Sequence, residues 1–419
     1  MHDWHVEQDQ PVIVPQFMQV VSVAGKTPYL IFGISGSVFQ AKINPDLSIE
    51  TPAWIPTLKF DPTVKQIIAV LTIKSADIVN GVAVVVDPYP VLMLQDGVSA
   101  AGYWTYTYAG HLNQTPKWSQ NANGDTIFES GYNQTPQGKW MAWSGNRLWV
   151  AVGSQLYASN LNDPINFTES ITFVNVSVLN FPDVITGLHD RGVTGSTASK
   201  LFVFTHNQTW AISTGLIRAN WASTVDFQVK IYDGVGCIAG KSIIAHRGLL
   251  HWYSDNGIVE HNTINTAYST QSLPPIDSEM AASKAVMASD RSTICCGSRD
   301  SYAFWSVPAG QVIKGRIVNG QTQVLDKNVV PGLATSGSIA AWQGIWTGIN
   351  PIEWVTATAY SKTFTWALSF DSDGVVRVWE AFQGNRADNG YQIPWTIETK
   401  THQVSDSPFS NRVFRHFQA

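Results

Sequence analysis

Charge is what this sequence has least of. Of its 419 residues, 14% are Asp, Glu, Lys or Arg, against roughly 25% in an ordinary soluble domain. No basic block occurs anywhere, and the formal net charge is −5. A grip on nucleic acid works through clustered Lys and Arg that displace counterions, so sequence-specific nucleic-acid binding is not expected. Cysteine is nearly absent: Cys237, Cys295 and Cys296 are an odd number, and two are adjacent, which is poor geometry for a bridge. Neither a disulfide framework nor a zinc spacing can be built from them. Long apolar runs are missing as well; Val82-Ala-Val-Val-Val86 is far too short to cross a bilayer. The opening Met1-His-Asp-Trp-His-Val-Glu7 has no basic region followed by an apolar one, so the expectation is synthesis in a cytoplasm without a secretion signal. The sequons Asn113-Gln-Thr and Asn207-Gln-Thr then read as chance products of polar turns.

What the chain does have is apolar and aromatic bulk. Hydrophobic residues make up 44%, and there are 17 Trp. A weakly charged chain with no membrane span must cover its surface in another way, and burial between subunits is the expectation. Trp and Tyr are enriched at such interfaces.

The bulk is arranged in hairpins. Leu201-Phe-Val-Phe-Thr205 and Thr209-Trp-Ala-Ile-Ser213 flank a short polar link. Phe202, Phe204, Trp210 and Ile212 share one parity, with Leu201, Val203 and Ala211 on the other. A period of two rich in aromatic and β-branched residues predicts paired strands. Both parities are apolar, so both faces are expected to be covered. Leu249–Tyr253 and Ile258–Glu260 repeat the design across Asn256-Gly257, a step that supplies the positive φ of a tight turn. Further hairpins are predicted at Tyr29–Phe32 with Ser37–Gln40, and at Val82–Val86 with Val91–Leu94 across Asp87-Pro-Tyr-Pro90. The remaining three are Arg147–Val152 with Gln155–Ala158, Tyr302–Ser306 with Gln311–Lys314, and Phe364–Phe370 with Val375–Trp379. Their starts recur every ~50–65 residues, in the range of propeller blades. The pattern predicts an all-β fold: a degenerate β-propeller of six or seven blades with a long inserted loop region.

Ser278–Met287 is the best helix candidate. The expected organisation is an N-terminal segment (1–27), first propeller hairpins (28–97), an aromatic, polar insertion (98–140), the main propeller (141–400) and a C-terminal closing strand (401–419). In the insertion, Lys117, Asp125, Glu129 and Lys139 are the only charges, while Trp104, Tyr106, Tyr108 and Trp118 are large apolar faces. Exposed together they would exceed the patch a soluble monomer shows. These four are the candidate interface residues, with Trp104 and Trp118 as anchors.

Catalytic constellations are scarce. The ten histidines form no His-Glu-x-x-His, and no nucleophile elbow occurs. His246 and His251 flank a strand five residues apart, which predicts opposite faces; His189-Asp190 reads as part of a Gly-bounded turn. Asp163, Asp183, Asp233 and Asp255 read as turn formers, and no pair of carboxylates stands out for glycoside hydrolysis. Asp371-Ser-Asp-Gly374 hints at a calcium loop that is short at its front, and Ser369-Phe-Asp371 at a sialidase Asp box whose Gly374 and Trp379 come late; a plain hairpin turn explains these residues. No catalytic residue, cofactor or metal is expected, and the chain is expected not to be an enzyme.

Three passages carry a family likeness. Arg147-Leu-Trp-Val-Ala-Val-Gly-Ser-Gln-Leu-Tyr-Ala-Ser159 is followed by Asn162-Asp-Pro-Ile-Asn-Phe167. Leu201–Ser213 is a strand pair with a Trp-bearing arm, and Gly236-Cys-Ile-Ala-Gly240 leads into Leu249–Glu260. Trp395–Lys400 and Arg412–Arg415 fit a closing strand. In these, over about residues 140 to 415, the chain resembles the tail nozzle, or tubular, proteins of short-tailed bacteriophages and their related tail-hub and DNA-stabilisation proteins. The resemblance implies a virion component made in the host cytoplasm. It implies a ring of copies, commonly a hexamer, below the portal and adaptor, with DNA passing through the assembled channel. The alternative from the aromatic residues and the Asp-box near-miss is a carbohydrate-binding or glycan-cleaving propeller.

Overall fold

A computed structural model describes residues 14–79, 82–111, 135–167, 178–191, 199–255, 257–262, 291–307, 341–347, 350–370 and 376–382. It also describes the strand segments 118–120, 126–128, 270–272, 312–313, 316–317, 321–326, 387–388 and 391–392. It divides into Met1–Ala381 and Phe382–Ala419. In the second unit, Ala387–Asp388 pairs antiparallel with Tyr391–Gln392.

The first unit is a seven-bladed β-propeller. Each blade is an antiparallel meander whose strands follow one another in sequence. Blade 1 holds Pro15–Val21, Tyr29–Ile34, Ser37–Lys42 and Ala53–Lys59; blade 2 holds Ile68–Val79, Val82–Gln95, Gly102–Trp104 and Ala109–His111. Blade 3 is Trp140–Ser144, Arg147–Val152, Gln155–Ala158 and Val178–Asn180. Blade 4 is Ile185–Arg191, Lys200–Thr205, Gln208–Ser213 and Gln228–Asp233. Blade 5 is Ile244–His246, Leu249–Ser254, Gly257–Asn262 and Thr270–Ser272. Blade 6 is Cys295–Arg299, Tyr302–Val307, Gln321–Asp326 and Ala341–Thr347; blade 7 is Asn350–Ala359, Lys362–Phe370 and Val376–Ala381.

First strands of successive blades touch around the wheel, with the turn Gly240–Ser242 serving between blades 4 and 5, and blade 7 returns to blade 1. The closure is apolar: Val20, Leu30 and Phe32 pack with Val355, Phe364, Trp366 and Leu368. Each such side chain contributes about 1.5–3 kcal/mol on burial. Comparable clusters fill the gaps between blades 1 and 2, 3 and 4, 4 and 5, and 5 and 6.

Tryptophan supplies the wedges. Trp149, Trp252 and Trp305 lie on the second strands of their blades and are fully buried. Their indole N–H groups donate to Ser144 O, Gly236 O and Ser242 O, each at 3.0 Å. Much of the tryptophan content therefore belongs to the core, because a satisfied N–H removes the usual cost of burying the indole.

Two expected hairpins and the expected insertion differ in the structure. Val82–Gln95 is one continuous strand, paired with Ile68–Val79, and not a hairpin across Asp87–Pro90. Pro88 is tolerated because the register slips there, between Lys74 and Ala76, while Pro90 lies opposite Ile73 and ahead of Leu92–Leu94, where the other edge of the strand is paired. The expected partner of Tyr302–Val307 is replaced: Cys295–Arg299 and Gln321–Asp326 flank it. Val312–Ile313 pairs instead with Arg316–Ile317. The front of the expected insertion supplies the third and fourth strands of blade 2. The Ser278–Met287 helix, the Asp371–Gly374 loop and the closing strand lie outside the described residues.

Candidate functional site

Non-neighbouring blades meet across the axis. Lys241, in the turn that leads into blade 5, bonds through Nζ to the Glu353 carboxylate on the first strand of blade 7. The same ammonium donates to Gln16 O on blade 1, at 3.2 Å. Gln66, entering blade 2, donates from Nε2 to Ser292 O at the entry of blade 6, at 3.2 Å. In a wheel of seven, a link from 2 to 6 or from 5 to 1 must cross the centre. Gly240 beside Lys241 cannot carry a side chain: a Cβ there would meet the Trp140 ring at 2.4 Å and Thr186 O at 2.6 Å.

Chemically this centre is a clasp. Burial pushes the Glu353 carboxyl up, and Lys241 opposes the shift. The cysteines sit around it: Cys295 Sγ lies 3.4 Å from Pro351 O, and Cys296 Sγ 3.5 Å from Ile243 O. Burial pushes Cys237 up to about 12 and raises Cys295 and Cys296 further, with Glu353 adding to both. All three are protonated thiols at neutral pH and poor nucleophiles. No disulfide joins them.

A second buried pair anchors the hairpin of blade 2. Lys74 Nζ lies 2.8 Å from Asp163 Oδ1, both side chains almost fully buried. The N–H groups of Ser75 and Ala76 donate to Asn162 O at 2.9 and 3.2 Å. Asp163 is thus a buried charge partner, where the sequence read a turn former. Beyond this root the two strands pair only with each other among the described residues, as Ala76↔Val85 to Val79↔Val82. They form an arm. Val84 and Val85 point to opposite faces, and both are exposed, Val85 by 88%.

Next to the root lies a cleft of about 510 Å³ between blades 3 and 4, walled by Trp143–Arg147, Leu161, Asp190, Ser199 and Thr214–Ile217. Its polar groups are largely spent on one another. Ser144 Oγ and Thr214 Oγ1 are 2.7 Å apart, Thr214 Oγ1 donates to Ser199 O, and Arg147 Nη1 donates to Ser159 O. Gly145 (φ +57°) lets the blade 3 turn press on Thr214, where a Cβ would lie 2.3 Å from the carbonyl oxygen. Its rim carries apolar surface at Leu161, 47% exposed, and Ile217, 73%, beside the exposed polar side chain of Asn146.

The predicted interface residues separate. Trp104 is buried in the core between blades 1 and 2, its Nε1–H donating to Gln40 Oε1 at 2.8 Å and its ring 5.5 Å from Tyr29. It is unavailable as a subunit anchor, because the strand Gly102–Trp104 turns it inward. Tyr106 is partly buried against Tyr29 and Trp104. Tyr108 is half exposed and stacks on Tyr103. Trp118 begins a short strand paired with Thr126–Phe128, and its side chain lies outside the described residues.

Among the described residues, His246 ends the first strand of blade 5 and His251 lies on the second, so they are on adjacent strands joined by a turn. His251 Nε2 lies 3.0 Å from Glu260, and His246 Nε2 3.0 Å from Ser301 O. His189-Asp190 is in a paired strand of blade 4 and not in a turn. Desolvation, helped by Arg191, lowers His189 to about 4, and desolvation lowers His261 to about 4 beside the Tyr232 hydroxyl. Among the described residues no group of His, Cys, Asp and Glu is placed to hold a metal ion.

No family model matches the chain, and no curated protein does. Among solved structures it is similar to BBS1N in complex with ARL6DN, at 14% identity over 60% of this chain and 66% of that one, with a TM-score of 0.35. A putative 6-phosphogluconolactonase from Bacteroides fragilis NCTC 9343 matches at 9% over 92% and 94%, with a TM-score of 0.44. Apo AztD from Citrobacter koseri matches at 10% over 74% and 83%, with a TM-score of 0.34. None of the three is described as a phage protein. The expectation that this chain is not an enzyme is corrected: a protein described as a putative 6-phosphogluconolactonase stands among its structural neighbours. At that identity no activity is assigned in its place.

Proposed function

We propose that this protein is a structural component of a short-tailed bacteriophage tail, one protomer of the nozzle or hub ring through which the genome leaves the particle. The observation that carries the reading is where apolar surface lies. Of twelve exposed large hydrophobic side chains among the described residues, Ile73, Val84, Val85 and Tyr89 are on or at the base of the arm and Leu161 and Ile217 at the cleft. Scattered apolar residues need no partner, but a concentrated set marks a surface that is covered in use. The Asn162-Asp163-Pro164 passage, part of the family likeness, provides the seat of the arm.

In this reading the conduit runs through the middle of the ring, between protomers, which is consistent with a propeller axis bridged by Lys241–Glu353 and Gln66–Ser292. The partners are further copies of the chain, commonly six, and the portal and adaptor rings; the location is the virion. With a net charge of −5, the protein offers passing DNA no electrostatic hold. The carbohydrate alternative leaned on open aromatic faces, and the burial of Trp104 removes one of them. Native mass measurement of the purified protein and labelling of purified particles test the reading. Ring-sized assemblies and a signal at the tail are expected; a stable monomer absent from particles would overturn it.

A further inference from the structure

We infer that the blade 2 arm is the ring-building element, seated in the cleft between blades 3 and 4 of the next copy of this chain. This rests on the ring reading above and names the contact that makes the ring.

The arm demands an unusual partner. Val84 and Val85, one on each face, are apolar and open, and both edges present backbone groups that pair with nothing beyond the root among the described residues. Water satisfies the edges but not the faces. Lipid would satisfy the faces but not the edges, since open sheet edges are not tolerated in hydrocarbon. Asp77 and Asp87 are the only charges from Ser75 to Pro90, so no cation would draw the arm to an anionic membrane either. A protein surface with apolar side chains and backbone groups satisfies both.

This chain displays such a surface itself. The cleft exposes Leu161 and Ile217 over a floor of already bonded polar groups, including Ser144 and Thr214. Its volume of about 510 Å³ accommodates several aliphatic side chains. The arm does not fill the cleft of its own chain, because Val85 and Ile217 are 88% and 73% exposed. Its direction is fixed by Lys74–Asp163 and the register slip at its root. When the arm of each copy enters the cleft of a second and its own cleft takes the arm of a third, the contact is head-to-tail, and such contacts close into rings when the rotation allows.

The test uses the full chain in three forms: wild type, Val85→Lys, and the pair Val85→Cys with Ile217→Cys. Wild type should sediment as a ring, and Val85→Lys should weaken self-association by about tenfold or more with an unchanged circular dichroism spectrum. Mild oxidation should join the double cysteine variant into a ladder of covalent oligomers, while each single variant gives none beyond dimers. A wild-type ring that Val85→Lys leaves intact overturns this inference alone; a monomeric wild type overturns it together with the ring reading. Co-flotation of wild type with phosphatidylcholine–phosphatidylglycerol vesicles, lost in Val85→Lys, would assign the arm to lipid and overturn the inference as well.

Discussion

The axis and the arm are opposites. At the axis, polar and charged groups lie inside: Lys241 and Glu353 are mostly buried and hold blades 5, 7 and 1 together. On the arm, aliphatic groups lie outside, and Val85 has almost no cover. An ordinary globular domain does the reverse in both places. The lesson is that the two kinds of exception have different consequences. A buried ion pair belongs to the fold, because removing one member strands the other. An exposed aliphatic ribbon contributes nothing to the fold and matters only when something covers it.

The sharpest break in that comparison comes from Trp104, which the sequence assigned to the outside. Trp104→Ala should cost about 3–5 kcal/mol, read as a lower midpoint in urea, since it empties a core site and orphans Gln40. A midpoint within error of wild type would mean that the indole is exposed after all.

Lys241→Ala comes next, at about 3 kcal/mol. We expect the lower end of the range for a broken buried pair because Glu353, with its carboxyl already pushed up by burial, can take up a proton in place of its partner. Lys241→Met combined with Glu353→Leu should recover much of the loss, measured by the same unfolding curves. A double variant as unstable as the single would show that the clasp depends on Gln16 more than on charge.

A smaller effect follows pH. His189 and His261 bind protons at about 4 in the fold and at about 6.5 when unfolded. The unfolded chain therefore holds more protons between those values, so stability is full above about 6.5 and falls as pH drops toward 4. His261→Gln should flatten part of that slope in thermal unfolding followed from pH 7 to 4.5. An unchanged slope would assign it to other groups.

The smallest effect should be that of Val85→Ser on the isolated chain, within about 0.5 kcal/mol, because the side chain has little to lose. A larger loss would place the arm against its own propeller.

Much of the wheel was legible beforehand. Apolar residues on both parities in Leu201–Ser213 and Leu249–Glu260 marked strands covered on both faces, as a blade requires, and the spacing of such pairs gave the repeat. The arm was half legible: Asn80-Gly81 between apolar runs is a hairpin signal, but Asp87-Pro-Tyr-Pro90 gave a stronger turn signal nearby and drew the reading away. Trp104 was misplaced because an aromatic residue in polar surroundings has the same composition whether its strand faces in or out. One residue of register decides that.

By itself, then, the sequence determined the all-β class, the repeating hairpin and the want of charge, since these follow from local periodicity and composition. Tertiary structure alone decided which groups meet across the axis. Lys241 and Glu353 are 112 residues apart, and nothing near either one announces the other. Only closing seven blades into a circle brings them within reach, because ring closure fixes distances that no local pattern encodes.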